Sequence, residues 1–538
     1  MTVSGDTSLH SHSPPGPGGA RPLRNVLFIM ADQLRADFLS CYGAKHAVDT
    51  PNIDRLAARG VRFERAYVQS AVCGPSRMSF YTGRYPASHG ATWNFVPALP
   101  GEHFLGDYLR DAGREVHLCG KTHAASNEPQ LRQLGIEVDG AASEWLREAG
   151  FRIVTRHEGD LPVPRPYYEE FLKERGYAGE HRWRDWANSA EGPNGELLDG
   201  MAMRHAHLPA RVREEDSETA YVTDRAIDFI EASRDKPWVL HVSYIKPHWP
   251  YIAPRPYHAM YRGSDVGVAR RSPIEERTLH PVVSAYRTHL EARNWSRPEV
   301  VEHVRPAYKG LIKQIDDHVG RLLAALERSG TADETLVVFT SDHGDHLGDH
   351  GLGEKELFYE PSVRVPLILV DPRAGSAGGR AERRFAEAVD IVPTLLDALG
   401  LPGAPHRIEG RSLMPLLQSG PGPEWSDQAV CELDYSFRPA RKELGLPVRD
   451  CQGVMVRTDR WKFVEWKGFR PQLFDLEEDP DEFRDLAHGD KHRRVIGEMR
   501  ERLAAWRASL KRRTAYTDAD AEAKWNPAAK VGVEIGLW

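Results

Sequence analysis

Short runs of large apolar residues alternate with amphipathic segments along most of this sequence, and this alternation constrains the fold more than any other feature. The runs are rich in Val, Ile, Leu and Phe and lie at residues 25–31, 115–119, 238–244, 335–340 and 365–370. They have the length of strands and are apolar at almost every position. Such runs are typical of parallel strands whose two faces are both buried.

Helical patterns lie between these runs, at residues 102–111, 218–233 and 298–329. Gly330 follows the last of them and is a suitable C-cap, because glycine adopts the left-handed conformation in which many helices end. Strands that alternate with helices predict an α/β fold with a doubly wound sheet that is sandwiched by helices on both faces.

The sequence changes in character after about residue 405, where Pro and Gly become frequent. Strand-like segments at 452–457 and 460–466 are followed by a helical pattern near 490–510. These features predict a smaller C-terminal α+β subdomain with an antiparallel sheet and a closing helix. We therefore expect an α/β domain at 23–405, a C-terminal subdomain at 406–510 and a tail at 511–538.

Composition and charge exclude several classes of protein. The chain has 71 Lys and Arg against 78 Asp and Glu, a net charge of −7, which is the wrong balance for a nucleic-acid partner. No apolar run approaches the ~18 residues that a membrane helix needs. The five cysteines are scattered, as reduced thiols are. Residues 1–22 lack the apolar segment of a secretion signal, so we expect a disordered leader and a cytoplasmic location.

Polar residues follow two of the predicted strands directly. Asp32 and Gln33 come after the first strand, and Asp342 and His343 come after the strand at 335–340. Because parallel strands end at the same edge of a sheet, we expect these side chains to converge. Oxygen and nitrogen ligands in this mixture suit Ca²⁺ or Mn²⁺. The sequence therefore predicts one shared divalent metal site at this edge.

The string Cys-Gly-Pro-Ser-Arg at 73–77 predicts the start of a helix, because Pro and Ser are favoured there. Cys73 would then lie at the helix N-terminus, where backbone N–H groups and the helix dipole favour an anion. Arg77 adds a fixed positive charge nearby. These features indicate an anionic oxyacid substrate.

The Cys-x-Pro-Ser-Arg motif, followed by Thr82-Gly83-Arg84, resembles the signature of the type I, formylglycine-dependent sulfatases of the alkaline phosphatase superfamily. Further segments resemble landmarks of this family in the same order, at residues 25–33, 50–57, 120–123, 246–248, 341–344, 353–355 and 473–480. The similarity spans roughly residues 23–490. The Asp-Gln and Asp-His pairs resemble the branch of choline sulfatases and phosphonate monoester hydrolases, whereas Lys121 and His123 resemble sulfatases.

The resemblance implies a mixed, alkaline-phosphatase-like sheet and an enzyme that hydrolyses small-molecule sulfate esters. It implies that a formylglycine-generating enzyme converts Cys73 to formylglycine, whose hydrate attacks the sulfur, and that one Ca²⁺ or Mn²⁺ ion assists. The implied metal ligands are Asp32, Gln33, Cys73, Asp342 and His343. The implied catalytic residues are Cys73, Arg77, Lys121, His123, His248 and Lys355, and Asn94 is an implied substrate contact.

Several alternatives remain open at this point. A phosphonate monoester or phosphodiester hydrolase would share the fold and the motifs. A conventional phosphatase would use Ser76 or another hydroxyl as the nucleophile on two zinc ions and would leave Cys73 unmodified. A binding or scaffold protein would have lost some of these groups, and all are present. The apolar chain end Leu537-Trp538 can also dock on a neighbouring copy, so we expect a homo-oligomer as one arrangement.

Overall fold

A computed structural model describes residues 22–159, 161, 163–418, 424–525 and 530–533. The leader expected at 1–22 lies outside the described residues apart from its last position, and the chain end Leu537-Trp538 lies outside them as well. None of the helices in the described ranges combines the length and the apolar character that crossing a bilayer requires.

The described strands are β1 (Asn25–Asp32), β2 (Val61–Tyr67), β3 (Val116–Gly120), β4 (Arg152–Arg156), β5 (Ser189–Glu191), β6 (Leu197–Asp199), β7 (Val239–Pro247), β8 (Thr335–Ser341), β9 (Arg364–Val370), β10 (Arg380–Glu382), β11 (Ala386–Glu387), β12 (Gln428–Asp434), β13 (Gln452–Thr458), β14 (Trp461–Trp466) and β15 (Gln472–Asp475). The described α-helices are α1 (Pro51–Arg59), α2 (Cys73–Thr82), α3 (Pro86–His89), α4 (Leu105–Asp111), α5 (Glu128–Gln133), α6 (Ala141–Arg147), α7 (Tyr167–Glu174), α8 (Glu218–Ala232), α9 (Pro273–Glu276), α10 (Pro281–Arg287), α11 (Leu290–Trp295), α12 (Pro298–Ser329), α13 (Glu360–Val363), α14 (Ile391–Ala398), α15 (Met414–Leu417), α16 (Pro439–Glu443), α17 (Arg493–Ser509) and α18 (Asp518–Ala523).

The central sheet has the strand order β10-β2-β9-β8-β1-β7-β3-β4, and β11 also pairs with β2. All the predicted apolar runs form strands of this sheet, and β8, β1, β7, β3 and β4 run parallel. The expectation of a parallel strand is wrong for β9, which is antiparallel to both β8 and β2. The reason is that the segment 342–363 stays at the edge where β8 ends, so the chain re-enters the sheet from that edge.

Helices cover both faces of the central sheet, as predicted. Along the fully buried strand β1, Val26 and Phe28 enter the core that contains α2 and α14. Leu27 and Ile29 enter the opposite core, which contains α8 and α12. Because the side chains of residues 26–31 enter one core or the other in turn, this part of β1 is apolar at every position rather than alternating. Helix α12 spans the predicted residues and ends at Gly330, which has a φ of 72°.

The C-terminal residues form a separate antiparallel sheet in the order β12-β13-β14-β15. Helix α17 packs on it through Met499, Leu503 and Trp506. The antiparallel subdomain is confirmed, and the sequence located β13, β14 and α17 while missing β12 and β15. The exact domain boundaries stay a prediction.

Glu387, at the end of β11, ties this second sheet to the central domain. Its Oε1 atom accepts hydrogen bonds from the Val430 N–H in β12 at 2.9 Å and from Gln69 Nε2 at 3.0 Å. Its Oε2 atom accepts from the Tyr85 hydroxyl at 2.9 Å. Burial and the nearby Asp390 carboxyl raise the pKa of Glu387 from 4.5 to about 8. The junction therefore favours a protonated glutamic acid.

We expect Glu387→Gln to stabilise the protein at alkaline pH. Because the pKa of Glu387 is higher in the folded state, the unfolded state loses this proton first, and the wild type loses stability as the pH rises towards about 8. A neutral glutamine avoids this loss, so urea unfolding at pH 9 should show a free energy of unfolding higher by roughly 1–3 kcal/mol, with a smaller gain at pH 5. A gain that is equal at the two pH values would contradict this account of the junction.

Candidate active site

The neighbouring strands β8, β1, β7 and β3 all end at one edge of the central sheet. Asp32 is the last residue of β1, Asp342 follows β8, Lys121 follows β3, and His248 follows β7. Residues that lie hundreds of positions apart in the chain are therefore neighbours at this edge. The carboxyl edge of parallel strands is where such sheets place their ligands.

A buried group of potential metal ligands lies at this edge. One donor atom from each residue falls within 4.8 Å of the others, and the group consists of Asp32, Cys73, Asp342 and His343. All four side chains are buried. Carboxylate oxygens and an imidazole nitrogen so close together, shielded from water, form a donor set that suits a divalent cation.

Two cations hold the outer oxygens of the carboxylates. Lys121 Nζ donates to Asp32 Oδ2 at 2.6 Å, and an Arg77 guanidinium nitrogen donates to the same oxygen at 3.1 Å. Arg77 Nε donates to Asp342 Oδ2 at 2.8 Å. The Oδ1 atom of Asp32 is thereby left facing the Cys73 sulfur at 3.8 Å. Lys121 and Arg77 thus orient both carboxylates and balance their charge.

The His343 ring is held in the orientation that a metal ligand needs. Its Nδ1 atom donates to the Gly344 carbonyl at 2.8 Å, and Nε2 lies 3.1 Å from the Cys73 sulfur. Burial alone would lower the pKa of His343, but Asp342 and Cys73 raise it to about 9. The surroundings of the ring therefore strongly favour positive charge, which is the condition for binding a cation.

Gln33 lies beside this group with a fixed amide orientation. Its Nε2 atom donates to Asp345 Oδ2 at 2.5 Å and to the Tyr251 hydroxyl at 3.2 Å. Its Oε1 atom therefore faces the site, where it accepts a hydrogen bond from Lys355 Nζ at 3.1 Å. The role of Gln33 as a metal ligand stays a prediction.

Cys73 is the first residue of α2, so the predicted position at a helix N-terminus is confirmed. Burial alone would raise the pKa of its thiol, but Lys121, Lys355 and His343 hold that pKa well below its usual range. The Gly74 N–H donates to Asn94 Oδ1 at 2.8 Å. Asn94 therefore holds the first turn of α2 in place, and its contact with substrate stays a prediction.

His248 and Lys355 form a hydrogen-bonded pair at the site. Lys355 Nζ donates to His248 Nε2 at 2.7 Å, and His248 Nδ1 donates to the Trp249 carbonyl at 2.8 Å. Burial and the Lys355 charge lower the pKa of His248 to about 4. The imidazole is therefore neutral, and the proton between the two groups belongs to Lys355.

His123 presents its imidazole towards Cys73 and helps to lower the pKa of that thiol. Neither ring nitrogen has a hydrogen-bond partner among the described residues. The ring contacts Phe95 at a centroid distance of 4.9 Å, while the backbone N–H of His123 donates to Glu158 Oε1 at 3.0 Å. The backbone is anchored, and the ring lies beside Cys73 with nitrogen atoms that a ligand can reach.

Two residues that the sequence interpretation did not assign to the site support it from behind. Asp345 orients Gln33 and also accepts a hydrogen bond from the Tyr251 hydroxyl at 2.7 Å. Lys246 donates to the Pro250 carbonyl at 2.7 Å and so holds the loop that carries His248. Both side chains are buried. A single sequence contains no signal for these contacts. The partner of Asp345 is distant in the chain, and the partner of Lys246 is a backbone carbonyl, which every residue has.

The Ser76 hydroxyl is engaged elsewhere. It donates to the main-chain carbonyl of Asp342 at 2.5 Å and is fully buried. Within the described ranges, the group that includes Cys73 is the only set of three or more acidic, histidine and cysteine side chains close enough together to hold one metal ion. These observations disfavour a phosphatase that uses Ser76 on two zinc ions.

Comparisons with known proteins find similarity along most of the chain. A family model described as Sulfatase matches residues 24–401, and one described as N-sulphoglucosamine sulphohydrolase, C-terminal, matches residues 348–509. The multifunctional alkaline phosphatase superfamily protein PehA of Trinickia caryophylli is 32% identical over 91% of this chain and 96% of its own. The choline-sulfatase of Rhizobium meliloti is 28% identical over 87% of this chain and 83% of its own. A phosphonate monoester hydrolase of Agrobacterium radiobacter has a TM-score of 0.81 and 30% identity, covering 93% of this chain and 99% of its own.

Proposed function

The chain belongs to the sulfatase family, and we propose that it hydrolyses sulfate esters of small molecules to inorganic sulfate and an alcohol or phenol. The observation that carries this proposal is the buried group of Asp32, Asp342 and His343 around Cys73. Lys121 and Lys355 add positive charge at the same place, which suits an anionic substrate.

We propose that one divalent cation, Ca²⁺ or Mn²⁺, occupies this group, held by Asp32, Cys73, Asp342 and His343 and by Gln33. The donor set supports this, since its atoms lie within 4.8 Å of one another. We also propose that a formylglycine-generating enzyme oxidises Cys73. The cation and the hydrated aldehyde would supply a Lewis acid and an activated hydroxyl nucleophile.

The residues around Cys73 have distinct proposed roles. Lys355 carries the proton that it shares with His248, and we propose that it gives this proton to the leaving oxygen of the ester. The neutral His248 ring orients the Lys355 ammonium group. The ring of His123 is suited to bind an ester oxygen or to take a proton from the nucleophile. Arg77 keeps the two ligand carboxylates in place.

A second candidate function is the hydrolysis of phosphonate monoesters or phosphodiesters. It is favoured by the similarity to the Agrobacterium radiobacter phosphonate monoester hydrolase, which has a TM-score of 0.81. A phosphonate monoester and a sulfate monoester each carry one negative charge, so the same cations can bind both. The two functions differ in the group that is transferred, which is a sulfuryl group in one and a phosphonyl or phosphoryl group in the other.

We expect kcat/KM to be higher for 4-nitrophenyl sulfate than for 4-nitrophenyl phenylphosphonate. The two esters release the same phenol, so their ratio reports the transferred group and not the leaving group. The assay uses the purified, metal-loaded protein, and Cys73→Ala serves as the control for contaminating activity with both esters. A clear preference for the phosphonate would overturn the proposal in favour of the second candidate.

A cytoplasmic location and assembly into a homo-oligomer belong to this proposal and are supported by the sequence alone. Size-exclusion chromatography with light scattering would measure the oligomeric state directly.

A further inference from the structure

The backbone around Lys355 has an unusual conformation. Glu354, Glu356 and Leu357 have φ angles of 61°, 75° and 44°. This left-handed region is costly for residues with large side chains, and such a segment persists only where surrounding contacts hold it. The contacts that hold this segment therefore determine where the Lys355 ammonium group lies.

A buried lysine of the C-terminal sheet holds one side of the segment. Lys462 lies in β14 and its side chain is fully buried. Its Nζ atom donates to the Phe358 carbonyl at 2.8 Å and pairs with Glu360 at 2.9 Å and with Glu482 at 2.6 Å. Burying an ammonium group is expensive unless opposite charge and acceptors surround it, and here one carbonyl and two carboxylates do so.

An arginine of the same subdomain holds the other side. Arg438 Nε lies 3.0 Å from Glu356 Oε2, and the guanidinium also pairs with Glu291. The Glu356 N–H donates to the Ala71 carbonyl at 3.0 Å, two residues before Cys73. The residue that follows Lys355 is thus tied to the C-terminal subdomain by its side chain and to the segment before Cys73 by its backbone.

We propose that Lys462 and Arg438 are positioning residues through which the C-terminal subdomain holds Lys355 against His248 and Gln33. The Lys355 ammonium group lies 2.7 Å from His248 Nε2 and 3.1 Å from Gln33 Oε1 only while the segment keeps its conformation. This inference rests on the proposed function, in which Lys355 protonates the leaving oxygen. Neither Lys462 nor Arg438 contacts substrate in this account.

The test measures kcat/KM for a series of aryl esters whose phenols differ in pKa. Lys462→Met alone would leave two buried carboxylates facing each other, so the variant is Lys462→Met combined with Glu482→Gln, which keeps the local charge unchanged. Esters of weakly acidic phenols need a proton on the leaving oxygen, and we expect them to lose about 10- to 100-fold. Because 4-nitrophenolate departs without being protonated, we expect kcat/KM for esters of 4-nitrophenol to fall by less than about threefold.

Further variants separate positioning from general structural damage. Arg438→Gln should reproduce the steeper dependence on phenol pKa, and Arg438→Lys, which restores a cation for Glu356, should recover most of the wild-type dependence. Lys467→Met is the matched control, because Lys467 directly follows β14 and makes a half-exposed pair with Asp450 at 3.1 Å. We expect it to leave the whole series unchanged.

The possible outcomes are distinct. A loss by the same factor across the series would mean a reduced fraction of folded enzyme and would overturn the inference, as would no loss at all. If the wild type hydrolysed neither the sulfate nor the phosphonate ester of 4-nitrophenol, the proposed function would be wrong, and the inference that rests on it would be wrong as well. A steeper dependence in both the Lys462 and Arg438 variants, absent from Lys467→Met, is the result that supports it.

Discussion

Cys73→Ala is expected to lower kcat/KM for the preferred ester by about 10⁴-fold or more, as the loss of a nucleophile does in other hydrolases. Cys73 lies at the start of α2 among the candidate metal ligands. Alanine offers neither a thiol to be modified nor any atom that can attack. The measurement is initial-rate kinetics on purified protein, with circular dichroism to show that the variant is folded.

Ser76→Ala is the control for this prediction. The Ser76 hydroxyl donates to the Asp342 carbonyl and does not face the ligand group, so we expect less than about a tenfold loss, comparable with one buried hydrogen bond. If Ser76→Ala lost activity as severely as Cys73→Ala, or if Cys73→Ala remained active, the nucleophile would have to be reassigned.

Asp342→Asn is expected to remove the metal and to reduce kcat/KM on the order of 10³-fold, since a catalytic cation contributes several kcal/mol. The substitution weakens one of the carboxylate ligands and removes a partner of the buried Arg77 guanidinium, which lies 2.8 Å from Asp342 Oδ2. Metal content per chain, measured by inductively coupled plasma mass spectrometry after dialysis, should fall from about one ion to almost none.

Asp349→Asn provides a comparison within the same loop. Asp349 is as buried as Asp342, but it pairs with Arg35 at 2.9 Å and with Arg305 at 2.7 Å and lies outside the ligand group. We expect this variant to be less stable and to keep its metal. Equal loss of metal in the two variants would show that the loss reports damage to the loop rather than removal of a ligand.

The sequence predicted the central sheet well because its strands are buried on both faces and therefore apolar at nearly every position. Strand β2 escaped prediction for a physical reason: a register shift between Phe63 and Ala66 breaks its alternation of apolar and charged residues. The direction of β9 was not predicted for another reason. An apolar run shows that a strand is buried, but it does not show from which edge of the sheet the chain enters that strand.

Prediction of the candidate site worked where residues follow strands or begin a helix, as Asp32, Asp342 and Cys73 do. The contacts that support these residues could not be predicted from the sequence. The burial of Lys462 depends on Glu360, which is distant in the chain, and on Glu482, which follows β15. The orientation of Gln33 depends on Asp345, about three hundred residues away. Pairing across such separations exists only in the folded chain, so a single sequence does not encode it in any readable pattern.

The most direct test of the proposed chemistry is the mass of the peptide that contains Cys73, taken from active protein produced in its native host. Conversion of the thiol to formylglycine exchanges H₂S for oxygen and lowers the peptide mass by about 18 Da. The account predicts that this lighter peptide predominates and that its abundance rises in proportion to specific activity across preparations. Fully active protein with an unmodified thiol at position 73 would contradict it.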